Sequence, residues 1–246
     1  MLRLMSYNIR FGGVGREKSI ADVIRHCSPD IVLLQEATRE AGVAEIAKHA
    51  EMPYWGAKQG NSPAFVSRVA VDQFDWHHHR DIQRPFLEIR LAESGLTIYN
   101  IHLRATHSNY TERSRMREVR ALLDAIKPAK ERLHLLVGDF NTLAPGELLN
   151  MQKLPMRYRI LAFLLGGRIT YRAIQMIVDA GYADSYRRLH TDHGFTFPAW
   201  DPHARLDFIF APKNFADRVV TCTVVSDIAQ PAKVTDHLPL IAEIVT

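Results

Sequence analysis

Cysteine is scarce: the 246 residues contain two, Cys27 and Cys222. Two thiols make neither a disulfide framework nor a thiolate metal cluster. Cys27 falls on the apolar face of a predicted helix and Cys222 within a β-rich run. Both read as small buried hydrophobes in a reducing compartment. Long apolar runs are also missing. Ile160 to Leu165, the longest near the middle, is far short of the ~20 residues a membrane-spanning helix needs. No signal-peptide pattern precedes the first periodic segment, because Leu2 to Ile9 already alternates as a strand does. A cytoplasmic protein is expected. Neither charge sign dominates. The net charge is +4 and the pI near 9.1. That mild bias suits a phosphate-bearing partner without demanding nucleic acid. No Pro/Gly/Ser-rich linker, internal repeat or low-complexity tract divides the chain, so one domain over 1–246 is the simplest organisation.

What is present is a mixture of strand and helix patterns. Ile20, Val23, Ile24 and Cys27 share one helical face over Ser19 to Cys27, where Ser19 and Asp22 have capping-box spacing. Pro29-Asp30 ends that helix. Ile31 to Leu34 reads as a strand buried on both faces. Thr38 to Ala50 follows as a weaker helix. Ala64 to Val71, Phe86 to Leu91 and Leu96 to Leu103 alternate as strands. Glu112 to Ile126 is helical, and Leu133 to Val137 is a buried strand. Thr170 to Ala180 is a helix stopped by Gly181. Arg205 to Phe210, Val219 to Val225 and Leu240 to Val245 are the last strands. Strand–helix–strand order argues for layered α/β, with helices packed outside sheets.

Polar residues collect where these strands start or stop. Gly138-Asp139-Phe140-Asn141 follows the strand Leu133 to Val137. Residues i and i+2 of extended chain point the same way, so Asp139 and Asn141 would leave the strand side by side. An Asx-turn closing the strand is the plainer account. Asn8, Gln35-Glu36, His102, Arg205-Leu206-Asp207 and Thr235-Asp236-His237 sit at other strand ends. Singly each has an ordinary explanation: Asn8 as a turn cap, His102 as a core histidine, Asp207 as the ion-pair partner of Arg205. Together they supply the hard oxygen donors that Mg²⁺ or Mn²⁺ prefers. No Cys/His cluster offers a softer, tetrahedral alternative.

In order, Ser6-Tyr7-Asn8-Ile9, Leu34-Gln35-Glu36, Asn100-Ile101-His102-Leu103, Gly138-Asp139-Phe140-Asn141, Arg205-Leu206-Asp207-Phe208-Ile209-Phe210 and Thr235-Asp236-His237 resemble the motifs of the endonuclease/exonuclease/phosphatase superfamily. The likeness extends from residue 4 to residue 240. It implies a four-layer α/β sandwich, two mixed sheets face to face with helices outside. It implies a Mg²⁺- or Mn²⁺-dependent phosphoester hydrolase, foremost a phosphodiesterase. A nuclease acting on DNA or RNA and a catalytically inactive binding module of the same fold are the alternatives. By the same resemblance, Asn8 and Glu36 form the metal pole, with Asp236 a further metal-side carboxylate. Asp139 positions or deprotonates the attacking water, and Asn141 holds a phosphate oxygen. Asp207 and His237 form an Asp–His pair, and His102 is a second phosphate-facing histidine. A carboxylate bonded to imidazole raises the histidine pKa, which suits His237 as a charged donor beside the phosphate. Asp139 is favoured over His237 as the base. Ile101-His102-Leu103 departs from abasic-site endonucleases, which carry a tyrosine-led Pro-Asn segment there. Ser62-Pro63 separates Gly60-Asn61 from Ala64 to Arg68, which puts any substrate role of Asn61 in doubt.

The implied partner is a phosphoester: a lipid head group, a small phosphodiester or nucleic acid. No obligate protein partner is evident. Leu148 to Val178 has no acidic residue and carries Lys153, Arg157, Arg159, Arg168 and Arg172. The stretch 154–172 is a candidate for membrane-surface contact, against a plain lid helix packed on the sheet. Arg104, Arg113, Arg115, Arg117 and Arg120 read as a solvated helix face. Trp76-His77-His78-His79 reads as an exposed loop or strand edge rather than a metal tract, since three consecutive strand residues cannot point one way. The aromatics from Phe195 to Trp200 fit a substrate wall and a core equally.

Overall fold

The structure is a computed structural model that describes residues 1–105, 108–127, 131–147, 153, 156 and 171–246. Among them, twelve strands form two six-stranded sheets. The first has the order β11-β12-β1-β2-β4-β3. Its strands are β1 (Leu2–Asn8), β2 (Ile31–Gln35), β3 (Tyr54–Gly56), β4 (Ala64–Ser67), β11 (Val219–Val224) and β12 (Leu240–Ile244). The second has the order β5-β6-β7-β8-β10-β9. It comprises β5 (Val71–His77), β6 (Phe86–Leu91), β7 (Thr97–His102), β8 (His134–Asp139), β9 (Tyr182–Asp184) and β10 (Asp207–Pro212). Each sheet holds one parallel pair, β1 with β2 and β7 with β8. Each pair is joined by a helix, as a parallel crossover requires: α1 (Glu17–Cys27) and α3 (Asn109–Ala125). The other helices are α2 (Glu40–His49), α4 (Ala173–Asp179), α5 (Ser185–Leu189) and α6 (Pro231–Val234).

Residue parity divides the apolar side chains among three cores and so builds four layers. Leu2, Leu4, Ile31 and Leu33 meet Ile89, Ile98, Leu135, Val137 and Ile209 between the sheets. Their strand neighbours Met5, Tyr7, Val32 and Leu34 turn outward onto Ile20, Ile24, Val43 and Ile46 of α1 and α2. On the far side Tyr99, Ile101, Leu136 and Phe208 pack under Val119, Leu122, Ile174 and Ile177 of α3 and α4. Each such side chain, fully buried, contributes about 1.5–3 kcal/mol. The four-layer sandwich is the architecture the motifs imply. Cys27 and Cys222 are both free and buried in it.

Polar residues interrupt the inter-sheet core near one end. Gln35 Nε2 donates to Asn100 Oδ1 across the gap at 2.9 Å and lies 3.3 Å from Ser6 Oγ. Asn100 Nδ2 donates to the carbonyls of Leu34 and Ala64, each at 2.9 Å. This brace ties the sheets together directly beneath the residues described next.

Several local expectations need correction. α1 starts at Glu17, and no side-chain cap precedes it. The Glu17 charge, rather than a Ser19 hydroxyl, complements the positive end of the helix. α3 starts earlier than the apolar spacing suggests, because Ser108 and Thr111 form a reciprocal capping box. Arg115 is not on a solvated face: it is buried and paired with Glu112 at 2.9 Å. Ala64 to Val71 is two strands in two different sheets, β4 and the start of β5. Arg205 does not pair with Asp207. It is buried against Glu147 at 2.8 Å and Asp184 at 2.7 Å, with its guanidinium over the Phe208 ring. Trp76 and His77 end the edge strand β5, and His77 meets Glu88 at 2.8 Å.

Candidate active site

The parity that sorts the core also aims the polar strand ends. Asn8 follows Leu2, Leu4 and Ser6 on the inner face of β1. His102 follows Ile98 and Asn100 on β7, and Asp139 follows Leu135 and Val137 on β8. Asp207 precedes Ile209 on β10. Because β10 runs against β8, Asp207 pairs in register with Asp139, which also pairs with His102. One row across the second sheet therefore carries His102, Asp139 and Asp207. The first sheet brings Asn8, Glu36 and the Asp236-His237 segment to the same open end of the inter-sheet gap.

Asp139 is the hub. Its Oδ2 lies 3.0 Å from Asn8 Nδ2, 3.1 Å from Asn141 Nδ2, 3.7 Å from His102 Nε2 and 3.8 Å from His237 Nε2. The two histidine distances are too long for hydrogen bonds. They are van der Waals contacts, in which two imidazole edges face the same carboxylate oxygen. Burial pushes the Asp139 carboxyl up to about 7, with Asp207 adding to the rise while His237 and the Asn141 and Asn8 donors oppose it. The Asx-turn is real: Asn141 N–H donates to Asp139 Oδ1 at 2.9 Å, with Asn141 at φ +50°. The Asn141 amide is already engaged, donating to Asp139 Oδ2 and to the Leu103 carbonyl at 3.1 Å.

The histidines differ in charge. His237 Nδ1 donates to Asp207 Oδ2 at 2.8 Å. Burial alone would lower its pKa, but the Asp207 and Asp139 carboxylates outweigh that and hold it at about 10. Burial keeps His102 well below the ordinary imidazole range, and the positive Arg84 and His237 add to this. A stability consequence follows for His237. A raised folded pKa stabilises the fold fully below the unfolded value of ~6.5, and this contribution fades as pH rises through the folded value. In EDTA, the stability advantage of the native chain over His237→Gln should be greatest below pH ~6.5 and shrink steadily toward about 10. Denaturant melts across that range measure it; an advantage that grows with pH would contradict the assignment.

Glu36 sits just past β2 at φ +57°, a left-handed conformation that is strained for a glutamate. The strain turns its carboxylate back over the site. Phe11 N–H donates to it at 2.7 Å, and Asn8 Nδ2 lies 3.3 Å away. No cationic side chain pairs with Glu36 among the described residues. Asp236 instead meets Arg10 Nε at 3.4 Å. Glu36, Asp139, Asp207 and Asp236 gather around one charged imidazole and Arg10, and Glu36 is left without a cationic partner among the described residues. Such an all-oxygen pole suits a hard divalent cation that keeps most of its waters. It is not a closed cage: among the described residues no group of three His, Cys, Asp or Glu is arranged to hold an ion. Asn8 presents nitrogen to both carboxylates while its Oδ1 accepts from Arg10 N–H at 2.9 Å. It would join a cation only after its amide turns over.

Ser62 escaped the motif reading, which quoted Thr235 without a role and left the aromatics around Phe197 undecided. Ser62 bridges Glu36 and His102 through its hydroxyl. Thr235 Oγ1 donates to the Asn8 carbonyl at 2.8 Å, tying the Asp236-His237 segment to β1. Phe197 packs its ring 5.0 Å from that of His237, so one of the aromatics between Phe195 and Trp200 does wall the site. Nothing in the sequence around Ser62 distinguishes it from an ordinary loop residue.

The family model for Endonuclease/Exonuclease/phosphatase proteins matches residues 5–237. The chain belongs to that family. Members of the endonuclease/exonuclease/phosphatase family are phosphoester hydrolases. No curated protein matches the chain. A 3′ phosphatase from Neisseria bound to product DNA hairpin superposes with a TM-score of 0.75 at 18% identity, covering 100% of both chains. An AP endonuclease from Archaeoglobus fulgidus gives the same values. TDP2 from Caenorhabditis elegans gives 0.69 at 19% identity, over 100% of this chain and 74% of that one. These likenesses show a shared family fold.

The candidate membrane contact at 154–172 lies outside the described residues, apart from Met156, Tyr171 and Arg172. Among the described residues no helix is long and apolar enough to cross a membrane.

Proposed function

We propose that this chain is a Mg²⁺- or Mn²⁺-dependent phosphodiesterase that attacks its substrate with water. The observation that carries the reading is Asp139 itself: a buried carboxylate raised to about 7, facing one charged and one uncharged imidazole. A group of that basicity accepts a proton from water near neutral pH as the water oxygen bonds to phosphorus, while the opposite P–O ester bond breaks and its oxygen leaves to be protonated by solvent water. His237, charged and held by Asp207, donates to a phosphoryl oxygen as negative charge builds there. His102 adds an uncharged N–H, and Asn141 holds Asp139 in place while lying within reach of a phosphate oxygen. Glu36, with Asp236 and a reoriented Asn8, would hold the cation, which supplies Lewis-acid neutralisation of the phosphoryl group.

Hydrolysis of bis(p-nitrophenyl) phosphate with Mn²⁺ or Mg²⁺ is the direct test. Turnover should require the metal and vanish in EDTA. Turnover that EDTA leaves intact, or none with either metal, removes the reading. One observation favours a nuclease as the second reading. Tyr110, Arg113, Met116, Arg117 and Arg120 line a groove of about 440 Å³ along α3. Among the described residues those arginines pair with no carboxylate. Exposed cations beside an exposed aromatic suit a single nucleic-acid strand. A panel of abasic DNA, single-stranded DNA, RNA, sphingomyelin, phosphoinositides and glycerophosphodiesters separates the substrates.

A further inference from the structure

Ser62 is buried between the two halves of the site. It follows the Gly60-Asn61 turn, and its Oγ receives the backbone N–H of Glu36 at 3.0 Å. The same oxygen touches His102 Nδ1 in a short hydrogen bond. The direction of this chain is fixed at one end. A backbone N–H can only donate, so one lone pair of the Ser62 oxygen is taken. The hydroxyl proton has no other acceptor among the described residues; pointed at His102 it makes Nδ1 the acceptor and leaves the imidazole proton on Nε2. Nε2 is the atom that faces Asp139 Oδ2 at 3.7 Å, on the side of the ring turned toward Asp139 and His237.

We propose that Ser62 is a positioning residue that locks His102 into the tautomer with its proton on Nε2, turned toward Asp139 and His237. The consequence for turnover rests on the phosphodiesterase reading; the tautomer does not. His237 is oriented differently, since its Nδ1–H donates to the Asp207 carboxylate. Ser62 therefore gives the site two imidazole donors of unlike kind: His237 held by a carboxylate that accepts its proton, His102 held by a hydroxyl that gives one. The same hydroxyl ties the backbone of Glu36, at the metal pole on the first sheet, to His102 on the second.

Long-range ¹⁵N–¹H spectra of the full chain, labelled with ¹⁵N-histidine and loaded with Mg²⁺, test this. The His102 signals are identified by their loss in His102→Gln. The native protein should show a protonated Nε2 and a bare Nδ1. Ser62→Ala should populate the other tautomer and lower kcat by roughly 10–100-fold with KM little changed, the usual scale for losing a histidine's orienting partner. Ser62→Thr, which keeps the hydroxyl, should keep the tautomer and most of kcat. A native His102 protonated on Nδ1 overturns the proposal without any variant. So does Ser62→Ala with the native tautomer and full kcat, or Ser62→Thr impaired as far as Ser62→Ala. A chain that shows no metal-dependent turnover ends the phosphodiesterase reading, while the spectrum still decides the role of Ser62.

Discussion

Asp139→Asn is expected to lower kcat by roughly 10²–10⁴-fold, the range for losing a positioned proton acceptor. The substitution preserves volume and removes the basic oxygen. It also sets donor against donor. The Asp139 oxygens accept from Asn8 Nδ2, Asn141 N–H and Asn141 Nδ2. Whichever way an asparagine amide is turned, its own N–H₂ meets at least one of them. Some stability is therefore lost on one account and regained on another, because a buried charge disappears as well. KM should change less than kcat, since the proton is taken in the transition state rather than on binding. Steady-state hydrolysis of bis(p-nitrophenyl) phosphate with Mn²⁺, alongside a thermal melt, separates the two effects. A folded variant within tenfold of native kcat would mean that some other group accepts the proton.

Gly138→Ala should have the largest effect on the fold of any single methyl added near the site. Gly138 pairs with Ile101 in the parallel β7–β8 ladder and has φ +140°. A Cβ there would lie 2.0 Å from the Ile101 carbonyl oxygen and 3.0 Å from its carbonyl carbon. Both are backbone atoms of a buried strand, so no flexible side chain can move aside. Strand separation is the remaining escape, and it would carry away His102 and Asp139, the next residues on each strand. A loss of at least about 4 kcal/mol, or failure to accumulate as folded protein, is expected. Denaturant titration measures it, with Gly60→Ala as the contrast. Gly60 also has positive φ, but its added Cβ meets nothing within 4 Å.

Much of this was readable from the sequence, for physical reasons. Ile31 to Leu34 and Leu133 to Val137 are short β-branched and leucine-rich runs that only a doubly covered strand accommodates, and both became central strands. Two-residue parity put Asp139 and Asn141 side by side at the end of their strand, and the two side chains do meet, at 3.1 Å. β3 and β9, at three residues each, are too short to show a period. Their strand character comes from neighbours already in place. Glu36 was legible as a polar strand end, but its left-handed turn was not, because glutamate has no preference for that conformation. Ser62 was invisible for a related reason: its role depends on Glu36 and His102, which lie far from it along the chain.

The Gln35–Asn100 brace has a consequence for how the protein fails. The residues proposed to react are shared between two stacked sheets. A displacement of about 1 Å at a catalytic centre can already cost on the order of 100-fold in rate. Nothing in either sheet's own hydrogen-bond ladder resists such a slip. The brace beneath the site resists it, together with the Asn8–Asp139 and Ser62–His102 hydrogen bonds across the same gap. Catalytic competence is in this sense a property of the spacing between the sheets. It can be lost while every strand, every helix and all three cores remain intact.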